Sequence, residues 1–361
     1  MKNAGAVRQH AALQRRGGAA RVAWLLHERL PGLGLASQLT FETAEEPGAQ
    51  ATAAQDAGRG LAADALLHLH SSLDWPTLLA ALPAERDLVL TLHDAGLLTG
   101  GCPYPLECPG VVDGCLEPCP RLFPQARERQ AVQREALRRL SPRLAVPSSW
   151  LAGMARAALP GLSVTVIPNG VPWPERPPSR AQARKALGIA PQARAVVFAA
   201  HGGAEAAYKS GPRWAEYWQG LKKRVPGALG FAVGGREARR DGDFLTWPYL
   251  DRQRLDLLFA AADLLFYPTL ADNHPLVVLE AMSQATACAA FAVGGLPEQI
   301  EAGESGLLVP PGQDAALLDA AAALLGSSAR SREMGERAFS RGAGRFSAER
   351  MAGDYLRFYR A

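Results

Sequence analysis

The feature that most constrains this chain is a proline cluster near its middle, flanked on both sides by the same alternation of apolar runs and helical stretches. Residues 171–180 read VPWPERPPSR, four prolines in ten positions. Proline lacks the amide hydrogen that helix interiors and inner strands need, so the segment interrupts both and marks a boundary. Before it, strands fit ADALLHLH (63–70), RDLVLTLHD (86–94), LAVPS (144–148) and SVTVIP (163–168), with helices at 17–30, 125–140 and SWLAGMARAAL. After it, strands fit ARAVVFAA (193–200), ALGFAVGG (228–235), ADLLFYPT (262–269) and ACAAFAV (287–293). Helices there fit 212–224, 252–261, 275–285 and 314–325. Short apolar runs separated by helices are the pattern of parallel βα units, whose strands are covered on both faces. The expected fold is α/β: two Rossmann-like domains, 1–170 and 181–342, joined by a hinge at 171–180, their parallel sheets facing across a cleft. One strand fits poorly, because VRQHAAL (7–13) is too polar for a buried central position.

Composition narrows the function classes. With 361 residues, 48% hydrophobic and 20% charged, the chain has the make-up of an ordinary soluble protein of two domains. A formal charge of +4 is too small to argue for nucleic acid. No apolar run reaches the roughly 18 residues of a membrane span, and the start, MKNAGAVRQHAALQRRGG, lacks the apolar middle of a signal peptide. The expected location is cytoplasmic. Residues 121–143 hold seven arginines against Glu128 and Glu135. They read either as a solvated helix face or as a contact with anionic lipid at the inner face of the membrane.

Chemistry concentrates in 262–298, ADLLFYPTLADNHPLVVLEAMSQATACAAFAVGGLPE. A buried strand ends at Pro268, and a short polar loop leads to a helix opened by Pro275. Asp272 lies in the loop and Glu280 inside the helix. A carboxylate within such a helix can chelate two ribose hydroxyls, one at its mouth can contact a sugar ring, and the helix start favours a diphosphate. The plainer alternative is that Asp272 or Asn273 caps the helix and Glu280 faces solvent. The string Asp241-Gly242-Asp243 sits in a polar loop and reads as a solvated turn rather than a metal motif. No G-x-G-x-x-G follows a strand, which weighs against a dinucleotide-dependent oxidoreductase.

These segments resemble those of family 4 glycosyltransferases with the GT-B fold. The 262–298 stretch resembles their glutamate-x7-glutamate region, with Asp272 in the first acidic position. VGGLPEQIEAGESGLLVPPG (293–312) resembles the family's next segment, VIPNGV (166–171) its interdomain junction, and GGAAR (17–21) its amino-terminal glycine loop. TLHD with a cysteine-rich loop after it, at 91–119, resembles the branch of colanic-acid-type surface-polysaccharide enzymes. The resemblance implies retaining transfer of a sugar from a UDP- or GDP-sugar to a saccharide or lipid-linked acceptor, with no metal needed for the transfer. It implies that Lys209 neutralises the leaving diphosphate, Glu280 holds the ribose, and Asp272 and His93 position the sugar. Gly17, Gly18, Gly294 and Gly295 match loops that let backbone approach the donor. A helix at 343–361 is expected to return to the first domain. The sequence departs from the family at Ala285, where glycine often stands, and at Tyr208, where this branch tends to have arginine. The rival reading is a GT-B module that binds sugar or a partner enzyme without turnover.

The loop 96–120 holds Cys102, Cys108, Cys115 and Cys119 among glycines and prolines. It cannot bury a core of its own and needs a cross-link. Structural zinc in four thiolates leads the readings, then two disulfides, then four free thiols, the spacing C-x5-C-x6-C-x3-C being looser than a paired CxxC signature. Cys288, in a strand candidate, reads as a small buried hydrophobe.

Overall fold

The computed structural model describes residues 5–62 and 64–361. It divides into two compact units: the chain up to Gly170 together with Ala348–Ala361, and Val171–Ser347. Ala63, the first residue of the strand expected at 63–70, lies outside the described residues.

The first unit is built from β1 (Ala6–Leu13), α1 (Gly18–Arg29), β2 (Ala36–Thr43), β3 (Leu66–Leu69), α2 (Trp75–Ala80), β4 (Leu88–Thr91), α3 (Gly110–Asp113), α4 (Ala126–Leu140), β5 (Arg143–Val146), α5 (Ser149–Ala158) and β6 (Val164–Val166). Its strands pair in the order β2-β1-β3-β4-β5-β6, all parallel. Leu67, Leu69, Leu88, Leu90, Leu144 and Val146 form one core with the buried faces of α2, α4 and α5. The polar strand at 7–13 is real and lies inside the sheet, between β2 and β3. Its Gln9 and His10 are fully buried. They are tolerated because each has hydrogen-bond partners, Gln9 at Tyr359 and His70, His10 at Thr40 and Glu42.

The second unit contains α6 (Arg180–Leu187), β7 (Arg194–Ala199), α7 (Trp214–Arg224), β8 (Ala228–Gly235), β9 (Arg239–Asp241), β10 (Phe244–Pro248), α8 (Arg252–Ala261), β11 (Leu264–Tyr267), α9 (Leu276–Ser283), β12 (Ala287–Phe291), α10 (Leu296–Gln299), β13 (Gly306–Val309), α11 (Asp314–Leu325) and α12 (Ser328–Phe346). The sheet order is β13-β12-β11-β7-β8-β10-β9, and only the β9–β10 pair is antiparallel. Gly242 makes the β9–β10 turn at φ +59°, so Asp241-Gly242-Asp243 is a turn, with Asp243 paired to Lys222 at 2.8 Å. The core is aromatic: Phe198 packs against Trp214, Phe244 and Phe266, and Trp218 stacks on Phe244 at 5.4 Å. Asp263 is buried and accepts from Arg180, Arg184 and the Ala195 amide, tying α6 to the sheet.

The proline segment is not a free linker. The Val171 amide donates to Phe346 O at 2.9 Å, and the Trp173 ring lies 5.8 Å from that of Phe339 on α12. The chain leaves the second unit after Ser347, five residues beyond the expected 342, because α12 runs unbroken to Phe346. The last helix, α13 (Ala348–Arg360), belongs to the first unit, where Met351, Tyr355 and Tyr359 are buried and Arg143 donates to the Phe358 carbonyl at 2.7 Å. Among the described residues no helix is long and apolar enough to cross a membrane.

Candidate functional site

In the second unit the chain winds outward from β7 toward β8 and from β11 toward β12, so β7 and β11 are neighbours at the point where the order reverses. Loops leaving the carboxyl ends of two such strands diverge and open a crevice, where open α/β sheets take their ligands. Lys209 is on the loop after β7 and Asp272 on the loop after β11. The Lys209 ammonium contacts the Asp272 carboxylate directly. Asp272 Oδ2 also accepts from the Tyr267 hydroxyl at 2.5 Å, and its Oδ1 accepts from the Asn273 amide at 2.8 Å. Burial raises the Tyr267 hydroxyl far above its ordinary range and keeps it a donor. The two loops are also stitched through backbone, since Tyr208 O accepts from the Leu270 amide at 2.8 Å and the Thr269 hydroxyl at 3.0 Å. Trp214 Nε1 donates to Lys209 O at 3.1 Å.

Gly294 completes this corner. It stands at φ +57°, and a Cβ there would lie 1.8 Å from Asp272 O, so no other residue fits against the loop. The Gly295 amide donates to the same oxygen at 3.1 Å.

Glu280 is 2% exposed, in the second half of α9. Its Oε1 lies 3.2 Å from Arg252 Nη1, and Arg252 Nε donates to Asp256 at 2.7 Å. The plain alternative for this segment does not hold: α9 has Pro275 at its cap position without a side-chain cap, and Glu280 does not face solvent. Two residues that sequence reasoning passed over join the site, Tyr267 and Arg252. Tyr267 is hidden in a strand-like run, LLFY, and Arg252 among the charged residues of DRQRLD.

The other expected residues lie in the first unit. Gly17 caps α1 at φ +83°. Just before it, the Arg15 and Arg16 amides donate to Glu45 Oε2 at 2.6 and 2.9 Å, so the chain's own carboxylate sits on this loop. Nothing crowds Gly18, where a Cβ would meet open space. His93 follows β4, with its Nε2 3.1 Å from His70 Nδ1. His93 is half-buried, and its partial removal from water lowers its pKa to about 3, so the ring is neutral at ordinary pH.

The cysteine loop is held chiefly by α4. Among the described residues Cys102, Cys108, Cys115, Cys119 and Cys288 form no disulfide, and no three His, Cys, Asp or Glu side chains are grouped as a metal site. Side chains of α4 tie the loop together. Gln130 donates to Leu98 O and Gly110 O at 2.9 and 2.6 Å and accepts from the Cys115 amide at 2.6 Å. Arg127 and Arg134 donate to Cys115 O and Val111 O. Of the seven arginines in 121–143, four (Arg127, Arg134, Arg139 and Arg143) are engaged with backbone carbonyls of their own unit.

Compared with known structures, the chain superposes along nearly its whole length on sucrose-phosphate synthase from Thermosynechococcus elongatus, with a TM-score of 0.74 at 19% identity, covering 98% of each chain. The Anabaena protein HepE in complex with UDP-glucose follows at a TM-score of 0.69 and 16% identity, covering 98% of this chain and 99% of that one. The fold is GT-B. Residues 243–341 of this GT-B chain match the family described as Glycosyl transferases group 1. That stretch includes Asp272, Glu280, Gly294 and Gly295. A D-inositol 3-phosphate glycosyltransferase from Nocardia farcinica is 32% identical over 217 residues, 55% of this chain and 47% of that protein. The match thus spans about half the length of this relative.

Proposed function

We propose that the protein is a glycosyltransferase that takes a sugar from a UDP- or GDP-sugar and passes it, with retention of anomeric configuration, to a saccharide or lipid-linked acceptor in the synthesis of surface polysaccharide. The observation that carries this reading is the corner where Lys209, Asp272 and Gly294 meet, at the ends of β7 and β11. Lys209 is the cation placed to neutralise a leaving diphosphate, a contact strengthened by low local dielectric. Asp272 holds the ammonium while the site is empty, and Tyr267 and Asn273 keep the carboxylate in place when the ammonium turns to phosphate. Glu280 chelates the ribose, with Arg252 holding its carboxylate in register. His93 contacts a hydroxyl of the sugar. Lysine and backbone amides supply the charge that a metal provides elsewhere, so transfer proceeds without one.

The UDP-glucose in the HepE complex supports a nucleotide-sugar donor, and the TLHD segment with its cysteine loop supports the surface-polysaccharide branch. Zinc bound to the loop thiols would require those thiols to rearrange, and metal analysis of protein purified without chelator tests it. Contact with an anionic membrane would fall to the arginines of 121–143. Flotation with anionic liposomes tests it.

Turnover is tested by incubating the protein with UDP- and GDP-sugars, with and without EDTA, and following release of nucleoside diphosphate. Proton NMR of the glycoside formed reads the anomeric configuration. Donor turnover insensitive to EDTA supports the reading. Nucleotide binding with neither hydrolysis nor transfer supports the rival, a GT-B module without turnover.

A further inference from the structure

A line of seven hydrogen-bonding groups crosses the interior of the first unit, from His93 to α13. His93 Nε2 is 3.1 Å from His70 Nδ1, and His70 Nε2 is 2.8 Å from Gln9 Oε1. Gln9 Nε2 is 3.2 Å from the Tyr359 hydroxyl, which is 2.7 Å from His68 Nδ1. His68 Nε2 is 2.7 Å from Thr91 Oγ1, and that oxygen is 2.8 Å from the Tyr355 hydroxyl. Every member except His93 is buried.

Such a line has a sense. A neutral imidazole carries one N–H and one lone pair, so it donates at one nitrogen and accepts at the other. Burial pushes the pKa of His68 and His70 well below the ordinary histidine range, which leaves both neutral, like His93. Gln9 sets the direction, because its amide has an oxygen on one side and an NH₂ on the other. With Oε1 toward His70, the His70 proton is on Nε2 and its Nδ1 is a lone pair. His93 must then donate from Nε2. On the other arm Gln9 donates to Tyr359, whose hydroxyl bonds His68 Nδ1, and His68 Nε2 bonds Thr91 Oγ1. On the His93 arm, reversing either bond would require turning the Gln9 amide, whereas the Tyr359 and Thr91 hydroxyls can donate or accept.

We propose that Gln9 and Tyr359 are positioning residues for His93: they hold its proton on Nε2, so that Nδ1 is an acceptor for a sugar hydroxyl. This rests on the proposed function, in which His93 contacts the sugar. It gives the buried polar groups of β1 and of α13 a function besides joining the helix to the sheet. It also explains why a strand in the middle of a sheet carries Gln9 in place of an aliphatic residue.

The test is the histidine tautomer, which helix docking alone does not move. Protein labelled with ¹⁵N-histidine is examined at neutral pH by long-range ¹H–¹⁵N correlation, with His93→Gln used to assign the resonance. The wild type is expected to show a pyrrole-type Nε2 and a pyridine-type Nδ1 at His93. Gln9→Leu and Tyr359→Phe are expected to give mixed tautomers. Titration calorimetry with UDP, UDP-glucose, GDP and GDP-mannose is run alongside. In Tyr359→Phe the nucleotide sugar that the wild type binds should weaken by about 2- to 10-fold, the range of one neutral hydrogen bond, while the bare nucleotide is unaffected. A wild-type His93 protonated at Nδ1 overturns the proposal, and that spectrum needs no variant to fold. So does a tautomer unchanged in folded variants, or equal effects on nucleotide and nucleotide sugar. Absence of binding to all four ligands would instead remove the function on which the proposal rests.

Discussion

The two units share an architecture and differ in what they bury. The first unit places histidines, tyrosines and a glutamine in the middle of its sheet, where they bond to one another and to α13. The second unit packs its centre with Phe198, Trp214, Trp218, Phe244 and Phe266, and its buried charged groups include Asp263 with Arg184 beneath α6, and Asp272 and Glu280 beside the partly buried Lys209 and Arg252. A buried polar group costs little when every bond is made, and a great deal when one is lost. The same fold can therefore be held by a polar network across the sheet in one half and by an aromatic cluster on the sheet in the other. The halves should answer differently to mutation and to acid.

The largest effect is expected at the charged corner of the second unit. Lys209→Ala should lower kcat by about 10²- to 10³-fold, the usual loss when a transition-state charge partner is removed. Steady-state release of nucleoside diphosphate measures it. Next comes the aromatic core: Phe266→Ala should cost about 3–5 kcal/mol, seen as a lower urea midpoint of the second unit, because the ring is fully buried.

Acid should strike the first unit instead. His68, His70 and His93 have folded-state pKa values below the unfolded one, so below about pH 6.5 the unfolded chain binds more protons and stability falls with pH. The stabilisation is present above the unfolded pKa and is lost as pH drops toward the folded values, about 3 for His93. Each histidine contributes a slope of about 1.4 kcal/mol per pH unit in that window. Tryptophan fluorescence and hydrogen exchange at pH 7 and 5 should show the first unit loosening before the second. Equal loss in both would contradict the contrast.

The smallest effect is a gain. Ala285 stands at φ +56°, a left-handed conformation that costs a residue with a Cβ roughly 1 kcal/mol relative to glycine. Ala285→Gly should stabilise the second unit by up to about that amount, read as a raised urea midpoint.

Much of the fold is legible from apolar patterning. The strand at ALGFAVGG and the helices at 252–261 and 314–325 appear at those bounds, because their burial follows directly from period and length. β1 is the strand that fits its pattern poorly, and the reason is physical: a pattern read by hydrophobicity cannot see polar side chains whose bonds close on α13, some 350 residues away. β2 and α12 escape for a related reason. β2 lies at the edge of its sheet with most residues only partly buried, and α12 is dominated by exposed arginine and glutamate. At the site, the resemblance picks out Lys209, Asp272 and Gly294, which the structure brings together. It could not reveal Tyr267 or Arg252, whose roles are to hold another residue's carboxylate, and spacing carries no trace of that. Nor does spacing reveal Gln130, whose amide ties the cysteine loop to α4.

The measurement that bears most directly on the central claim is a thermal-shift screen of the intact chain against UDP, GDP, ADP and their sugars, with Lys209→Ala and Glu280→Ala beside the wild type. The account predicts a shift with one nucleotide and its sugar, diminished in both variants. A folded wild type that shifts with none of them, or a shift that survives both substitutions, would contradict it.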